Sequence, residues 1–197
     1  MPVHLPIDLI NSLEGIRGFN KEAFVDVHES GEQVTSIRVN PFKLSMVNGE
    51  WSMFTHHSQL TTHIPWTDHG YYLSSRPSFT FDPLFHAGCY YVQEASSMFL
   101  EQALKQTVDL SKPLKILDLC AAPGGKSTHI LSLISKESLL VSNEVIRARA
   151  NILNDNIIKW GCSNVVVTNN DPRDFQRLEN YFDVIVIDAP CSGSGAG

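Results

Sequence analysis

The sequence predicts an α/β protein built on an open sheet of parallel strands and entered through a small α+β region. Four apolar runs of strand length, at residues 114–117, 139–143, 165–167 and 182–187, alternate with helical or turn segments, the pattern that parallel strands and their crossovers leave in a chain. The last of them, Val184 to Ile187, is continuous rather than alternating, as a strand covered on both faces is. Each is followed by an acidic residue: Asp118, Glu144, Asp171 or Asp188. An open parallel sheet keeps its ligand crevice outside the carboxyl ends of its strands, so these four carboxylates should converge there.

Taken in order, the chain opens with short helices near Ile7 to Leu13 and Lys21 to His28, then a strand from Thr35 to Val39. Residues 1–75 read as a small α+β domain of their own. A Pro- and Gly-containing connector, Tyr71 to Gly88, belongs largely to the second region, residues 76–197. That region begins with an expected helix from about Val92 to Gln106, whose Val92, Ala95, Phe99 and Ala103 face the sheet. Leu114, Ile116 and Leu117 form the first parallel strand, and Ile130, Leu131, Leu133 and Ile134 give the next helix its apolar face.

Between that strand and helix lie Cys120, Ala121, Ala122, Pro123, Gly124, Gly125 and Lys126. Without a Cβ, the two glycines let the backbone turn tightly and bring N–H groups against a ligand, at the positive end of the helix dipole. The same turn also serves simply to pack a helix on a sheet. Glu144 ends the second strand, roughly 20 residues on, where an acid accepts hydrogen bonds from both hydroxyls of an adenosine ribose. It is equally suited to start the helix that follows, which is marked by Ile146, Ala150, Leu153, Ile157 and Trp160 and stopped by Gly161.

At 197 residues and 43% hydrophobic, the chain can bury one good core or two small ones. No run approaches the roughly 18 apolar residues of a membrane span, and the N-terminus has no signal-peptide core, which places the protein in the cytoplasm. Four cysteines at wide spacing suit neither a disulfide framework nor a zinc knuckle, and the eight histidines show no ligand spacing, so no metal is expected. A formal net charge of −6 argues against a stand-alone nucleic-acid binder. Nucleic acid would have to be met by a local patch, drawn from Arg147, Arg149, Lys159, Arg173 and Arg177, which suit a solvated surface equally well.

The stretches DLCAAPGGKS (118–127) and DAPCSG (188–193), with TSIRVNP (35–41) and GCYYVQEASSM (88–98), resemble the Sun (RsmF-like) RNA cytosine-5 methyltransferases over nearly the whole chain. The resemblance implies a Rossmann-like methyltransferase sheet, S-adenosylmethionine as cofactor, and RNA as partner, ribosomal more than transfer. It implies that Cys120, Ala121, Ala122, Pro123, Gly124, Gly125 and Lys126 wrap the cofactor, that Glu144 takes its ribose, that Asp171 lies at its adenine and that Asp188 closes the site. It also implies that Arg38 touches RNA, although a structural ion pair fits that position as well.

Cytosine carbon 5 is a poor nucleophile, so methylating it requires a thiolate first to add at carbon 6. Cys191, in a Pro-Cys-Ser-Gly turn, suits either that attack or the later release step, which needs a base. The resemblance assigns it to release and gives the attack to a downstream Thr-Cys cysteine that these 197 residues lack. The sequence is therefore expected to be a front portion, inactive alone, with strands in the order 3-2-1-4 and strand 4 at an exposed edge. The competing reading is a non-catalytic adenosine-ligand or RNA-binding module. An NAD enzyme is disfavoured because Ala-Ala-Pro-Gly-Gly departs from GxGxxG.

Overall fold

The computed structural model describes residues 5–31, 34–43, 46–47, 50–51 and 60–189. The chain divides into two compact units, 1–34 and 35–197. The first holds α1 (Ile7–Leu13) and α2 (Lys21–Ser30). The Asn20 side chain accepts from the Ala23 N–H, capping α2, and Gly31 ends it in the left-handed region. Both helices fall where the sequence places them.

The second unit carries an antiparallel and a parallel sheet. The antiparallel sheet is formed by β1 (Thr35–Val39), β4 (Leu60–His63), β5 (Gly70–Leu73) and β6 (Tyr90–Val92), in the order β4-β5-β1-β6. A small ribbon, β2 (Met46–Val47) with β3 (Glu50–Trp51), stands beside this count. Between β5 and β6 runs α3 (Pro83–His86), N-capped by Asp82. The parallel sheet is formed by β7 (Lys115–Asp118), β8 (Leu139–Asn143), β9 (Val165–Thr168) and β10 (Val184–Val186), ordered β10-β7-β8-β9. That is the expected 3-2-1-4, read from the other edge.

Helices α5 (Gly125–Leu133) and α6 (Arg147–Trp160) follow β7 and β8, with Gly161 in the left-handed region at the end of α6. Ile116, Leu140, Val165 and Val184 from the sheet meet Ile130, Leu131, Leu153, Ile157 and Trp160 in one core. In-register neighbours one residue along point to the opposite face. There Ile185 and Val166 are 55% and 48% exposed, and among the described residues β10 pairs with β7 alone.

The helix expected from Val92 to Gln106 is corrected by the structure. Tyr90–Val92 is a strand, a 3-10 turn covers Ser96–Phe99, and the α-helix, α4, is Leu100–Thr107. Aromatic and β-branched residues suit a pleated ladder, and β1 offers them one: Ile37, Arg38 and Val39 pair antiparallel with Val92, Tyr91 and Tyr90. The inward face is correspondingly Met98, Glu101 and Leu104, while Phe99 is 57% exposed.

Side chains from just after β1 finish the far end of α6. Asn40 Nδ2 donates to Trp160 O at 2.9 Å and to Gly88 O at 2.9 Å. Lys43 Nζ donates to Lys159 O and Ala87 O. The approach is close enough that a Cβ on Gly88 would lie 2.1 Å from Lys159 O.

Candidate functional site at the carboxyl ends of the parallel strands

β7 delivers Asp118 to the mouth of the sheet, where it is fully buried. Its Oδ2 accepts from Ser127 Oγ at 2.7 Å, and Ser127 in turn accepts from Ser142 Oγ at 2.8 Å. Burial pushes the Asp118 carboxyl up to about 6, against the opposing pull of Ser127 and Lys126. Its role is to tie the end of β7 to the first turn of α5 and to β8.

The intervening loop is pinned from both sides. Leu119 N donates to Val186 O and Ala121 N to Asn143 O, at 3.0 and 2.8 Å. From α6, Arg149 Nη2 holds Ala122 O and Asn156 Nδ2 holds Pro123 O, each at 2.8 Å. Gly124 enters α5 at φ +112°, a conformation that side chains other than hydrogen resist. The first bond of the helix ladder is Thr128 N to Gly124 O, so the N–H groups of Gly125, Lys126 and Ser127 precede it and remain for a ligand.

A cavity of about 330 Å³ opens against this loop. One wall is Cys120, Ala121, Ala122, Pro123, Gly125, Lys126 and Asp188; the other is Tyr91, Gln93, Glu94 and Ser97. Lys126 Nζ and Asp188 Oδ2 form an ion pair at 2.5 Å across the rim. The structure thus gathers most of the residues expected around the cofactor, together with Asp188.

Glu144 and Asp171 stand at the expected strand ends but outside the lining of this cavity. Glu144 is buried, its Oε1 accepting from Ile146 N at 2.9 Å and its Oε2 lying 3.4 Å from Arg149 Nη1. Both oxygens keep further lone pairs. Asp171 begins the 3-10 turn Pro172–Arg177 and accepts from the Nε and Nη2 of Arg173, at 2.9 and 2.8 Å. Those bonds hold its carboxyl down at about 2.

Cys191 lies outside the described residues. The three described cysteines are not activated: burial pushes the thiols of Cys89, Cys120 and Cys162 up, and Glu144, Asp118 and Asp188 add to the effect at Cys120. A nucleophile needs the reverse, a lowered thiol.

Arg38 is fully buried, which corrects the expectation that it touches RNA. Its five N–H groups are all engaged: Nε to Gln93 Oε1, Nη1 to Thr128 O and Ser132 Oγ, Nη2 to Gly125 O and Thr128 Oγ1. The guanidinium also lies 4.5 Å from the centre of the Trp160 ring. Burial lowers it to about 9, so it stays a cation at neutral pH. Neither the Gln93 wall nor the Arg38 anchor follows from hydrophobic patterning; their only signal is that both lie in the stretches 35–41 and 88–98.

The sheet order, the glycine turn into α5 and the cavity at the strand ends define a Rossmann-like methyltransferase domain. A sequence model described as 16S rRNA methyltransferase RsmB/F matches residues 105–197, and one for the N-terminal domain of 16S rRNA methyltransferase RsmF matches residues 5–95. The chain belongs to this RsmF-like Sun family. It is 35% identical over 203 residues to ribosomal RNA small subunit methyltransferase F of Pectobacterium atrosepticum, covering 98% of this chain and 41% of that protein. The namesake from Aeromonas hydrophila is 38% identical over 167 residues, 82% of this chain and 34% of its own. The chain therefore spans well under half the length of these relatives. The crystal structure of a methyltransferase homolog protein from Pyrococcus horikoshii matches with a TM-score of 0.71 at 28% identity, covering 97% of this chain and 65% of that one.

Proposed function

We propose that this chain is the front portion of a cytoplasmic RNA 5-methylcytosine methyltransferase, acting on ribosomal rather than transfer RNA with S-adenosylmethionine as methyl donor. The cavity walled by Cys120 to Pro123, Gly125, Lys126 and Asp188 carries the reading. Its lining suits that cofactor: the left-handed Gly124 turn brings unbonded backbone donors to the cavity, and Gln93 Nε2, buried in the opposite wall, has no partner among the described residues. When bound, S-adenosylmethionine supplies an electrophilic methyl group.

In this reading residues 120–126 wrap the cofactor, Glu144 takes the ribose hydroxyls, Asp171 lies at the adenine and Asp188 closes the site. Residues 1–75 are read as the RNA-associated part and residues 76–197 as the cofactor part, with β1 and β6 sharing one sheet across that boundary. Cys191 assists release after methyl transfer, by the general-base logic that removal of the carbon 5 proton and departure of a thiolate require. Because Cys89, Cys120 and Cys162 are all held as thiols, the attack on carbon 6 is assigned to the part that follows residue 197 in the longer relatives. The chain by itself then binds cofactor without turning over. Calorimetric titration with S-adenosylhomocysteine tests the reading; a chain that binds NAD instead, or neither ligand, overturns it.

A further inference from the structure

The amide nitrogen of Gln93 stands unpartnered, among the described residues, in the cavity wall that faces the loop 120–126. Gln93 is 5% exposed, and its backbone is fixed by an exchange with Ser36, N to Ser36 O at 3.2 Å and O from Ser36 Oγ at 2.6 Å. Arginine only donates, so the oxygen of the Gln93 amide must face Arg38 Nε, and the 3.0 Å contact between them settles which way the amide is turned. Nε2 is thereby directed away from Arg38 and over the glycine turn, where it would lie 3.8 Å from a Cβ on Gly125. It carries two N–H donors and meets no acceptor among the described residues.

The same guanidinium that turns the amide also grips Gly125 O and the carbonyl and hydroxyl of Thr128. This fixes the first turn of α5, whose free N–H groups border the cavity. Two sets of donors therefore meet at one place, at the positive end of the α5 dipole and beside the buried Arg38 cation, while Lys126 is paired with Asp188 and Glu94 shares the wall. Such a place favours an anionic acceptor over a neutral carbonyl.

We propose that Gln93 binds the carboxylate at the amino-acid end of the cofactor, and that Arg38 is the positioning residue that orients both Gln93 and the first turn of α5 toward it. This rests on the cofactor reading above. It gives the strand β1 and the segment after β6 a direct part in cofactor selection, which the loop 120–126 alone does not require.

The test compares two ligands on the purified chain: S-adenosylhomocysteine, which carries the amino-acid end, and 5′-methylthioadenosine, which keeps the adenosine and lacks it. Gln93→Glu keeps an oxygen for Arg38 Nε and removes the donor. It is expected to weaken S-adenosylhomocysteine by about 10- to 150-fold, the worth of a hydrogen bond to a charged group, and to leave 5′-methylthioadenosine unchanged. Arg38→Lys should show the same selective loss, because a lysine cannot hold both the amide and the carbonyls of α5. A merely structural role for either residue would weaken both ligands together, and that result, or no loss for either, overturns the inference while the cofactor reading stands. A wild-type chain that binds neither ligand overturns both.

Discussion

Replacing His129 with Gln should remove much of the chain's sensitivity to mild acid. His129 sits on α5 at 1% exposure, its Nε2 2.9 Å from Oε2 of the equally buried Glu101 on α4. Glu101 also accepts from Thr67 Oγ1, Asp68 N and Lys105 Nζ. Burial works against its charge, but the donors from His129, Lys105 and Thr67 overcome this and hold its carboxyl well below the usual range. A carboxylate only accepts, so Nε2 carries a proton, while Nδ1 is buried without a partner among the described residues and favours the ring with no second proton.

Burial first, then Arg38, pushes the imidazole down to about 4 from an ordinary 6.5. With the folded value depressed, the unfolded chain takes up the proton first, so stability present above about pH 6.5 is lost as pH falls toward about 4. At about pH 5 this one site accounts for roughly 2 kcal/mol. His69 is lowered by burial with the same sign, and Glu101 adds its own loss only at lower pH; both remain in the variant and largely cancel in the comparison. Urea unfolding of the wild type and His129→Gln at about pH 7.5 and about pH 5 should show the wild type losing roughly 2 kcal/mol more than the variant. Equal losses would refute a neutral, depressed His129.

Three further outcomes are expected. Gly124→Ala forces a Cβ into a left-handed turn, 3.2 Å from Leu153 Cδ1, and should cost about 1–2 kcal/mol of stability together with weaker S-adenosylhomocysteine binding; a thermal scan that is unchanged would show the turn to be relaxed. Glu144→Ala should weaken the same ligand by about 10- to 150-fold in calorimetry, and an unchanged affinity in a folded variant would remove Glu144 from the site. In a protein extended to the length of its relatives, Cys191→Ala should accumulate a ribonuclease-sensitive covalent RNA adduct on a denaturing gel, whereas absence of the band would make Cys191 the attacking thiol.

The parallel half is legible in the sequence because its strands are short apolar runs and its glycine turn has few alternatives: residues 139–143 emerge as a strand with the expected ends, and Ala150, Leu153, Ile157 and Trp160 face the core as their spacing requires. Residues 92–106 are less legible. Their apolar spacing is compatible with one helix, but β1 had an open edge for Tyr90–Val92, and the inward position on α4 is taken by a charged residue, Glu101, that no hydrophobic pattern would choose. Arg38 misleads for the same reason. A cation on a strand suggests a surface, and only the folded chain supplies the carbonyls and the Trp160 face that let it lie inside. Of the site, the loop 120–126 is readable, while its opposing wall depends on a pairing between segments more than fifty residues apart, Ser36 with Gln93.

The contacts of Asn40 and Lys43 with the end of α6 bear on how this unit comes apart. The last carbonyls of a helix have no partners within it, and those of Lys159 and Trp160 are met by side chains from the antiparallel sheet. Peeling that sheet away would strand these carbonyls at the moment it also stripped Arg38 from α5. Neither sheet can therefore melt ahead of the other at low cost, and calorimetric unfolding of residues 35–197 should proceed as one cooperative transition rather than sheet by sheet.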